Sequence, residues 1–298
     1  MKYATPGTFR TALEQRLLTM AHEADLPVGR LRKLVVFERL LARLLIVAPD
    51  RWLLKGALAL DLRLGARSRT TKDMDLARDD DEEAATADLL AAQAVDLGDY
   101  FTFAIERTGR LDAALEGAAV RYHVAAALDG RPFEDVIVDI GFADSLTTAP
   151  ETLRGPDLLR FAAIAPIAVP AVPIAQHIAE KVHAYTRTYA GDHRSSRVKD
   201  LIDLVLIRSA IAFEAGRLHE ALQATFARRG THPLPAALPL PPADWGPAYR
   251  RLAREVGLDP NVRIGFALAA LFLDPILAGT VSDRARWEPL HGAWEEPN

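Results

Sequence analysis

The sequence contains no cysteine, and this absence excludes disulfides, thiolate metal sites and cysteine nucleophiles. No run of 18 apolar residues is present, so we expect no membrane span. The first ten residues lack the apolar core of a signal peptide. A basic excess is also missing, because the formal net charge is −4 and the pI is about 6.1. Any contact with nucleic acid therefore depends on a local patch.

A turn between a short strand and a helix stands near the centre of the N-terminal half. Residues 52–54 predict a buried strand, and residues 57–64 predict a helix. Gly56 lies between them and allows a sharp turn without a Cβ clash. Because the first N–H groups of a helix are free, this turn is typical of a phosphate-binding site.

Two acids follow this turn in the pattern Asp73-Met74-Asp75-Leu76. Residues two apart in a strand share a face, so Asp73 and Asp75 would project together. A divalent cation, Mg²⁺ or Mn²⁺, would relieve their repulsion, and Mg²⁺ commonly binds one or two carboxylates together with substrate phosphates. The alternative is a solvated Asp-x-Asp on an edge strand. The preceding turn favours the metal site.

A third acid stands on a predicted hairpin. Strands over residues 122–128 and 133–140 flank Asp129-Gly130, a strong turn signal. Asp139 is a lone acid in the apolar second strand, which makes it a candidate third carboxylate beside the first two. Because Gly141 follows closely, a strand-end acid that faces water remains the alternative.

Helical periodicity predicts most of the remaining elements over residues 8–24, 30–48, 84–94, 174–188, 198–208 and 214–229, with two more helices within 249–277. Residues 153–173 contain four prolines and predict an ordered loop. We therefore expect an N-terminal domain over residues 1–152, a connection over 153–173 and a helical domain over 174–298. The last 20 residues predict a surface tail.

The predicted C-terminal helices and the loop between them contain charged residues that are candidates for a functional site. Lys181 lies on the apolar stripe of its helix, where an ammonium needs a partner; a lysine that snorkels to solvent is the alternative. Asp200 and Asp203 share one side of an otherwise apolar helix. Between these helices lies a cationic loop that could bind phosphates or be merely solvated. Its cations are Arg187, His193, Arg194, Arg197 and Lys199.

Two motifs together resemble the AbiEii/MenT toxins, the toxin half of type IV toxin–antitoxin pairs in the nucleotidyltransferase superfamily. The first is Leu54-Lys55-Gly56 with Arg69-Thr70-x-Lys72-Asp73-Met74-Asp75-Leu76. The second is Glu180-Lys181-Val182-His183 with Lys199-Asp200-x-x-Asp203-Leu204. The family usually has a second glycine where this chain has Ala57.

The resemblance implies an α+β fold, with a nucleotidyltransferase-like N-terminal domain whose mixed sheet is flanked by helices, and an α-helical C-terminal domain. It also implies site residues. The catalytic residues would be Asp73, Asp75, Lys181 and Asp203, with Asp200 a lesser candidate. The nucleotide-binding residues would be Lys55, Gly56, Arg69 and Thr71. The metal ligands would be Asp73 and Asp75, with Asp139 assisting.

The function implied is metal-dependent transfer of a nucleoside monophosphate from an NTP to an RNA, the 3′ end of a tRNA, in the cytoplasm. An AbiEi-like antitoxin encoded nearby would be the protein partner. One alternative is an acceptor of low molecular weight, such as an aminoglycoside. Another is a nucleotide-binding module without catalysis, although retention of Asp73, Asp75, Lys181 and Asp203 argues against it.

Overall fold

The computed structural model describes residues 2–111, 119–142, 146, 148–188 and 197–297, without the side chains of Ala66, Arg110 and Leu111. The chain divides into two compact units. Unit 1 consists of Met1–Ala66, Thr70–Ser145 and Pro150–Val172. Unit 2 consists of Arg67–Arg69, Leu146–Ala149 and Pro173–Asn298.

A seven-stranded sheet forms the centre of unit 1, in the order β3-β4-β5-β2-β1-β7-β6. Its strands are β1 (Leu53–Lys55), β2 (Asp73–Ala77), β3 (Phe101–Leu111), β4 (Ala119–Leu128), β5 (Arg131–Gly141), β6 (Glu151–Arg154) and β7 (Ala168–Ala171). The pairs β2–β5 and β1–β7 are parallel, and the other pairs are antiparallel. The mixed sheet expected from the sequence is therefore confirmed.

Within its described residues, unit 1 has four α-helices beside this sheet: α1 (Pro6–Glu23), α2 (Val28–Val47), α3 (Gly56–Leu64) and α4 (Glu82–Gln93). Helix α2 packs on β5 and α4, and α3 packs on β2. Their apolar faces bury Leu40 and Leu58 in the same core as Val138. Asp81 is the N-cap residue of helix α4 and accepts a hydrogen bond from the Ala84 N–H at 2.9 Å. Glu82 and Glu83 follow in the first turn, where negative charge interacts favourably with the helix dipole.

The hairpin of β4 and β5 turns at Asp129 and Gly130, whose φ angles are 59° and 65°. Positive φ at both positions is what Asp-Gly favours in a tight hairpin turn. The register then shifts between Ala126 and Ala127, which marks a β-bulge. This bulge decides which residues of β4 and β5 face each other near the far end of the hairpin.

The segment 153–173 differs from the loop that its prolines predicted, because it contains the second half of β6 and all of β7. Pro170 lies within β7, opposite Thr152. Strand β7 pairs with β1 only at Ala171, opposite Leu54. A strand with so little pairing on one side loses little when proline removes a backbone donor.

Unit 2 contains five described helices, as predicted: α5 (Ile174–Thr186), α6 (Val198–Ala210), α7 (Ala215–Arg229), α8 (Gly246–Glu255) and α9 (Val262–Leu277). It also has a small antiparallel sheet that the sequence did not predict: β8 (Phe213–Glu214), β9 (Arg286–Glu288) and β10 (Ala293–Glu295). Among the described residues, no helix combines the length and apolarity needed to cross a membrane.

The expectation of a surface tail over the last 20 residues was wrong. Trp287 is fully buried and donates a hydrogen bond to the Arg208 carbonyl at 2.7 Å. Its ring also contacts Phe272 and Trp294. Aromatic side chains bury large areas of apolar surface, so these tryptophans anchor the C-terminal residues to the helices.

Candidate active site

The turn between β1 and α3 makes room for one carboxylate. Gly56 has a φ of +64°, and a Cβ added there would lie 1.8 Å from Oδ2 of Asp75. Glycine is therefore required both by the backbone conformation and by the closeness of Asp75. Ala57 is not among the residues with positive φ, so alanine fits the backbone where the family usually has a second glycine.

Asp73 and Asp75 lie on one face of β2, and both are half-buried. Met74 and Leu76 point to the opposite face and are fully buried. The alternation predicted from the sequence is therefore present.

A row of charged residues crosses four strands on the face of Asp75. Lys55 of β1 is opposite Asp75, Asp75 is beside Asp139 of β5, and Asp139 is opposite Arg121 of β4. Residues paired across a sheet point to the same face and interact there. We call Lys55, Asp75, Asp139 and Arg121 the sheet row. Asp73 lies two residues before Asp75 on the same face.

Arg121 forms a two-pronged ion pair with Asp139. Its Nε donates to Oδ1 at 2.8 Å and its Nη2 donates to Oδ2 at 2.7 Å. The pKa of Arg121 is raised, first by the hydrogen bond to Asp139, with smaller contributions from the charges of Asp73 and Asp75. Asp139 therefore lies beside Asp75 as expected, but both of its oxygens accept from a guanidinium that sequence reasoning did not identify.

The donor set fits a divalent cation held by two carboxylates. Within the described residues, no three His, Asp or Glu side chains form a group that could hold a metal ion. Asp73 and Asp75 share a face, and the absent Cβ of Gly56 leaves the space that the Asp75 carboxylate occupies. Mg²⁺ often takes one or two protein carboxylates and completes its octahedron with water and substrate phosphates.

Thr71 hydrogen-bonds to the backbone of the strand that contains Asp73 and Asp75. Its hydroxyl donates to the carbonyl of Asp73 at 2.8 Å and accepts from the Asp73 N–H at 3.4 Å. The side chain is buried, with 6% exposed. Thr71, expected from the resemblance to bind nucleotide, thus fixes the backbone at the start of β2 in this structure.

Unit 2 contains a second group of charges, which surrounds Lys181. The Lys181 ammonium donates to Oδ2 of Asp203 at 2.6 Å and to Oδ1 of Asp200 at 3.3 Å. Arg69 donates to Oδ1 of Asp203 at 3.0 Å, and Arg197 donates to Oδ2 of Asp200 at 2.6 Å. We call these five residues the buried charge cluster.

Burial and pairing act in opposite directions on Asp203. Burial alone would raise the pKa of its carboxyl, but the charges of Lys181 and Arg69 outweigh burial and hold the pKa below its usual value. Asp203 is therefore ionised at neutral pH. The Lys181 side chain is 8% exposed, so it is a paired core lysine and not one that extends into solvent.

The predicted cationic loop is only partly described. His193 and Arg194 lie outside the described residues. Arg197 pairs with Asp200 within the buried charge cluster, while Lys199 is exposed on α6. At least one of the predicted anion-binding cations is therefore held by an acid of the chain.

One known protein family matches more than half of the chain. Residues 39–269 match the family described as nucleotidyl transferase AbiEii toxin, type IV toxin–antitoxin system. No curated protein sequence matches.

Two solved structures have a similar fold. The nucleotidyltransferase toxin MenT4 of Mycobacterium tuberculosis has 21% identity and a TM-score of 0.53, over 92% of this chain and 99% of MenT4. A proposed nucleotidyltransferase of Helicobacter pylori has 16% identity and a TM-score of 0.50, over 84% of this chain and 98% of that one. Because the family match covers more than half of the 298 residues, the chain belongs to the AbiEii nucleotidyltransferase toxin family of type IV toxin–antitoxin systems.

Proposed function

We propose that this chain transfers a nucleoside monophosphate from an NTP to the 3′ end of a tRNA in a reaction that requires Mg²⁺ or Mn²⁺. The observation that carries the proposal is the pair Asp73 and Asp75 on one face of β2, with Asp75 directly behind the Gly56 turn. Membership of the AbiEii family supports the same class of reaction.

In this reaction the 3′-hydroxyl oxygen of the acceptor bonds to the α-phosphorus of the NTP. The bond from that phosphorus to the bridging oxygen breaks, pyrophosphate leaves and the hydroxyl proton passes to solvent. The divalent cation, when bound, supplies positive charge to the phosphate oxygens. Transfer of this kind depends mainly on positioning and charge stabilisation.

Each site residue has a proposed role. Lys55 and the Gly56 turn would hold the β- and γ-phosphates, and the position of Lys55 opposite Asp75 supports this. Lys181 would neutralise charge that develops on the phosphates. Asp203, which bonds to both Lys181 and Arg69, would orient these cations.

An acceptor made of RNA is supported by a cationic face on α8. Tyr249, Leu252 and Ala253 form its buried side, while Arg250, Arg251 and Arg254 are exposed. In a chain whose net charge is −4, three adjacent arginines on one helix are a local patch of the kind that binds phosphodiesters. An aminoglycoside, which is a cation, would gain nothing from them.

The first test is incubation of the protein and Mg²⁺ with each NTP labelled in the α-phosphate, together with total tRNA or with an aminoglycoside. We expect label on the tRNA, and none with the Asp75→Asn protein. Label on the aminoglycoside alone would show that the acceptor is a small molecule and not tRNA. No label on either acceptor would contradict the enzymatic function and leave a nucleotide-binding module.

The α8 face gives a second test of the acceptor. Replacing Arg250, Arg251 and Arg254 with glutamine should weaken tRNA binding and reduce the slope of log affinity against log salt by about 1 for each phosphate that the variant no longer neutralises. Arg217→Gln is the matched control, because Arg217 is exposed and pairs with Glu214 at 2.8 Å. Equal tRNA affinity and salt slope in the triple variant and the control would remove this support.

The family also supports a protein partner and a place of action. We propose that an AbiEi-like antitoxin encoded nearby neutralises the toxin, and that the reaction occurs in the cytoplasm, where NTPs and tRNA are present. Expression in a bacterial host should slow growth, and Asp75→Asn or co-expression of the antitoxin should restore it. An Asp75→Asn protein as toxic as the wild type would refute catalytic toxicity.

A further inference from the structure

We propose that Arg121 binds a phosphate of the nucleotide, and that Asp139 positions this arginine instead of serving as a third metal ligand. The inference rests on the proposed nucleotidyl transfer and concerns the same site. It assigns a role to Arg121 that neither motif of the sequence indicates.

The first argument is that both carboxylate oxygens of Asp139 already accept hydrogen bonds. Its two oxygens accept from Nε and Nη2 of Arg121 at 2.8 and 2.7 Å. Two-pronged pairs of this geometry are among the stronger hydrogen bonds in proteins. A cation bound to Asp139 would lie beside the guanidinium that already neutralises this carboxylate, and at 8% exposure little water could screen the repulsion between the two positive charges.

The second argument is the donor capacity of Arg121. A guanidinium has five N–H donors in a fixed plane, and Asp139 uses Nε and Nη2. The Arg121 side chain is 38% exposed, so part of it remains accessible to a ligand. Arginine fixed in this way suits phosphate recognition, since its geometry matches two phosphate oxygens.

The third argument is charge. The sheet row and Asp73 contain three carboxylates, Asp73, Asp75 and Asp139, against two cations, Lys55 and Arg121, which leaves a net charge of −1. His123 of β4 lies near the same face and is 3.6 Å from Asp135. A divalent cation would change the net charge of this group from −1 to +1. With Arg121 present, the metal-bound site has a net charge of +1 and attracts a polyanion. Without Arg121, the net charge of the metal-bound site would be zero.

The test separates metal binding from nucleotide binding without measuring turnover. Mn²⁺ binding to the nucleotide-free protein is followed by electron paramagnetic resonance. Binding of an α,β-methylene NTP analogue, which cannot transfer its nucleotide, is followed by calorimetry with Mn²⁺ present. Asp75→Asn serves as the variant that should lose the metal.

Asp139→Asn should bind Mn²⁺ within about threefold of the wild type, whereas Asp75→Asn should lose Mn²⁺. Arg121→Gln should bind Mn²⁺ at least as tightly as the wild type, because a repelling cation has been removed. Its affinity for the analogue should fall about 10- to 100-fold, the range for losing a hydrogen bond between charged groups. Arg107→Gln is the matched control, because Arg107 is 43% exposed and pairs with Glu82 in the same unit.

The double variant Arg121→Gln/Asp139→Asn guards against misfolding, because it replaces the ion pair with two amides that can hydrogen-bond to each other. It should keep Mn²⁺ and still bind the analogue weakly. Loss of Mn²⁺ from Asp139→Asn, to the extent seen in Asp75→Asn, would make Asp139 a ligand and overturn the proposal. Wild-type affinity for the analogue in Arg121→Gln would overturn it equally. If the proposed nucleotidyl transfer itself were wrong, Asp75→Asn would bind Mn²⁺ and the analogue like the wild type. The proposed role of Arg121 would then be refuted as well.

Discussion

The sheet row of unit 1 and the buried charge cluster of unit 2 contain the same kinds of side chain in different environments. In unit 1, Asp73 and Asp75 are half-buried, and the acids outnumber the cations. In unit 2, Lys181, Asp200 and Asp203 are buried, and cations surround both acids. Excess charge near solvent can accept a metal ion and release it, whereas buried and compensated charge holds one fixed geometry.

The largest effect should come from the carboxylate that the Gly56 turn accommodates. Asp75→Asn should lower nucleotidyl transfer by more than about 1000-fold, because a bound metal contributes several kcal/mol and each 1.4 kcal/mol is about a factor of ten. Stability in urea should stay the same or rise slightly, since repulsion between neighbouring carboxylates is relieved. Turnover and urea unfolding check the two halves of this prediction. An active Asp75→Asn protein would show that the sheet row does not differ from the buried charge cluster by binding a catalytic metal at Asp75.

The buried charge cluster should respond in both activity and stability. Lys181→Met should lower turnover on the order of 10²–10³-fold, as expected for the loss of a preorganised charge-stabilising group. It should also destabilise unit 2 by about 1.5–3 kcal/mol, because Asp203 and Asp200 each lose a charged hydrogen-bond donor although Arg69 and Arg197 still pair with them. A lysine that only extended into solvent could be replaced at no cost, so a large loss of stability is specific to this buried arrangement.

Lys199→Met is the control for Lys181→Met. Lys199 lies one residue before Asp200 on α6, but its side chain is exposed. Its replacement should change stability by less than about 0.5 kcal/mol. Urea unfolding of both variants, with turnover measured where each is folded, makes the comparison. Equal stability of the two variants would show that the cluster does not depend on Lys181.

A smaller effect should come from the turn. Gly56→Ala places a Cβ 1.8 Å from Oδ2 of Asp75 at a φ of +64°, so the carboxylate must move. A displacement of about 1 Å can lower turnover about 100-fold. Gly65→Ala is a matched control, because Gly65 has a φ of +61° and no heavy atom within 4 Å of an added Cβ. Both changes should lower stability, because each places alanine at a positive φ that L residues rarely adopt, but only Gly56→Ala should weaken Mn²⁺ binding.

Local patterns explain why much of unit 1 was predictable. The alternation of Asp73, Met74, Asp75 and Leu76 depends only on strand geometry, and the burial pattern follows it. The turn at Asp129-Gly130 likewise follows from the backbone preferences of these two residues. These features are encoded within a few neighbouring positions, so the sequence alone was sufficient.

Features that depend on distant pairing were not predictable. Counting outward from the turn, where Leu128 is opposite Arg131, would place Arg121 opposite Val138. The bulge between Ala126 and Ala127 shifts the register by one residue and places Arg121 opposite Asp139. In the same way, Trp287 stabilises the C-terminal strands through contacts with residues far away in sequence, which no local pattern of the tail indicates.

The two units also contain buried groups that should respond to pH in opposite directions. Burial raises the pKa of Glu38 in unit 1 to about 7, so the folded protein binds its proton more tightly than the unfolded chain does. Burial, helped by the charge of Arg229, lowers the pKa of His183 in unit 2 to about 3. Acidification below about 6.5, the usual pKa of histidine, should therefore destabilise the protein through His183.

Glu38→Gln tests the pH dependence of stability in unit 1. The substitution should change the free energy of unfolding without changing nucleotidyl transfer. Glu38 is 2% exposed, and its raised pKa means that its contribution to stability is full below about 4.5, the usual pKa, and is lost as the pH rises towards 7. Glutamine keeps the shape and never ionises, so the variant should match the wild type near about pH 5 and exceed it near about pH 8 by on the order of 3 kcal/mol at most. Urea unfolding at both pH values measures this difference, and Glu23→Gln, at an exposed position of α1, is the control. If Glu38→Gln and Glu23→Gln changed equally between the two pH values, ionisation of Glu38 would not limit the stability of unit 1 at high pH.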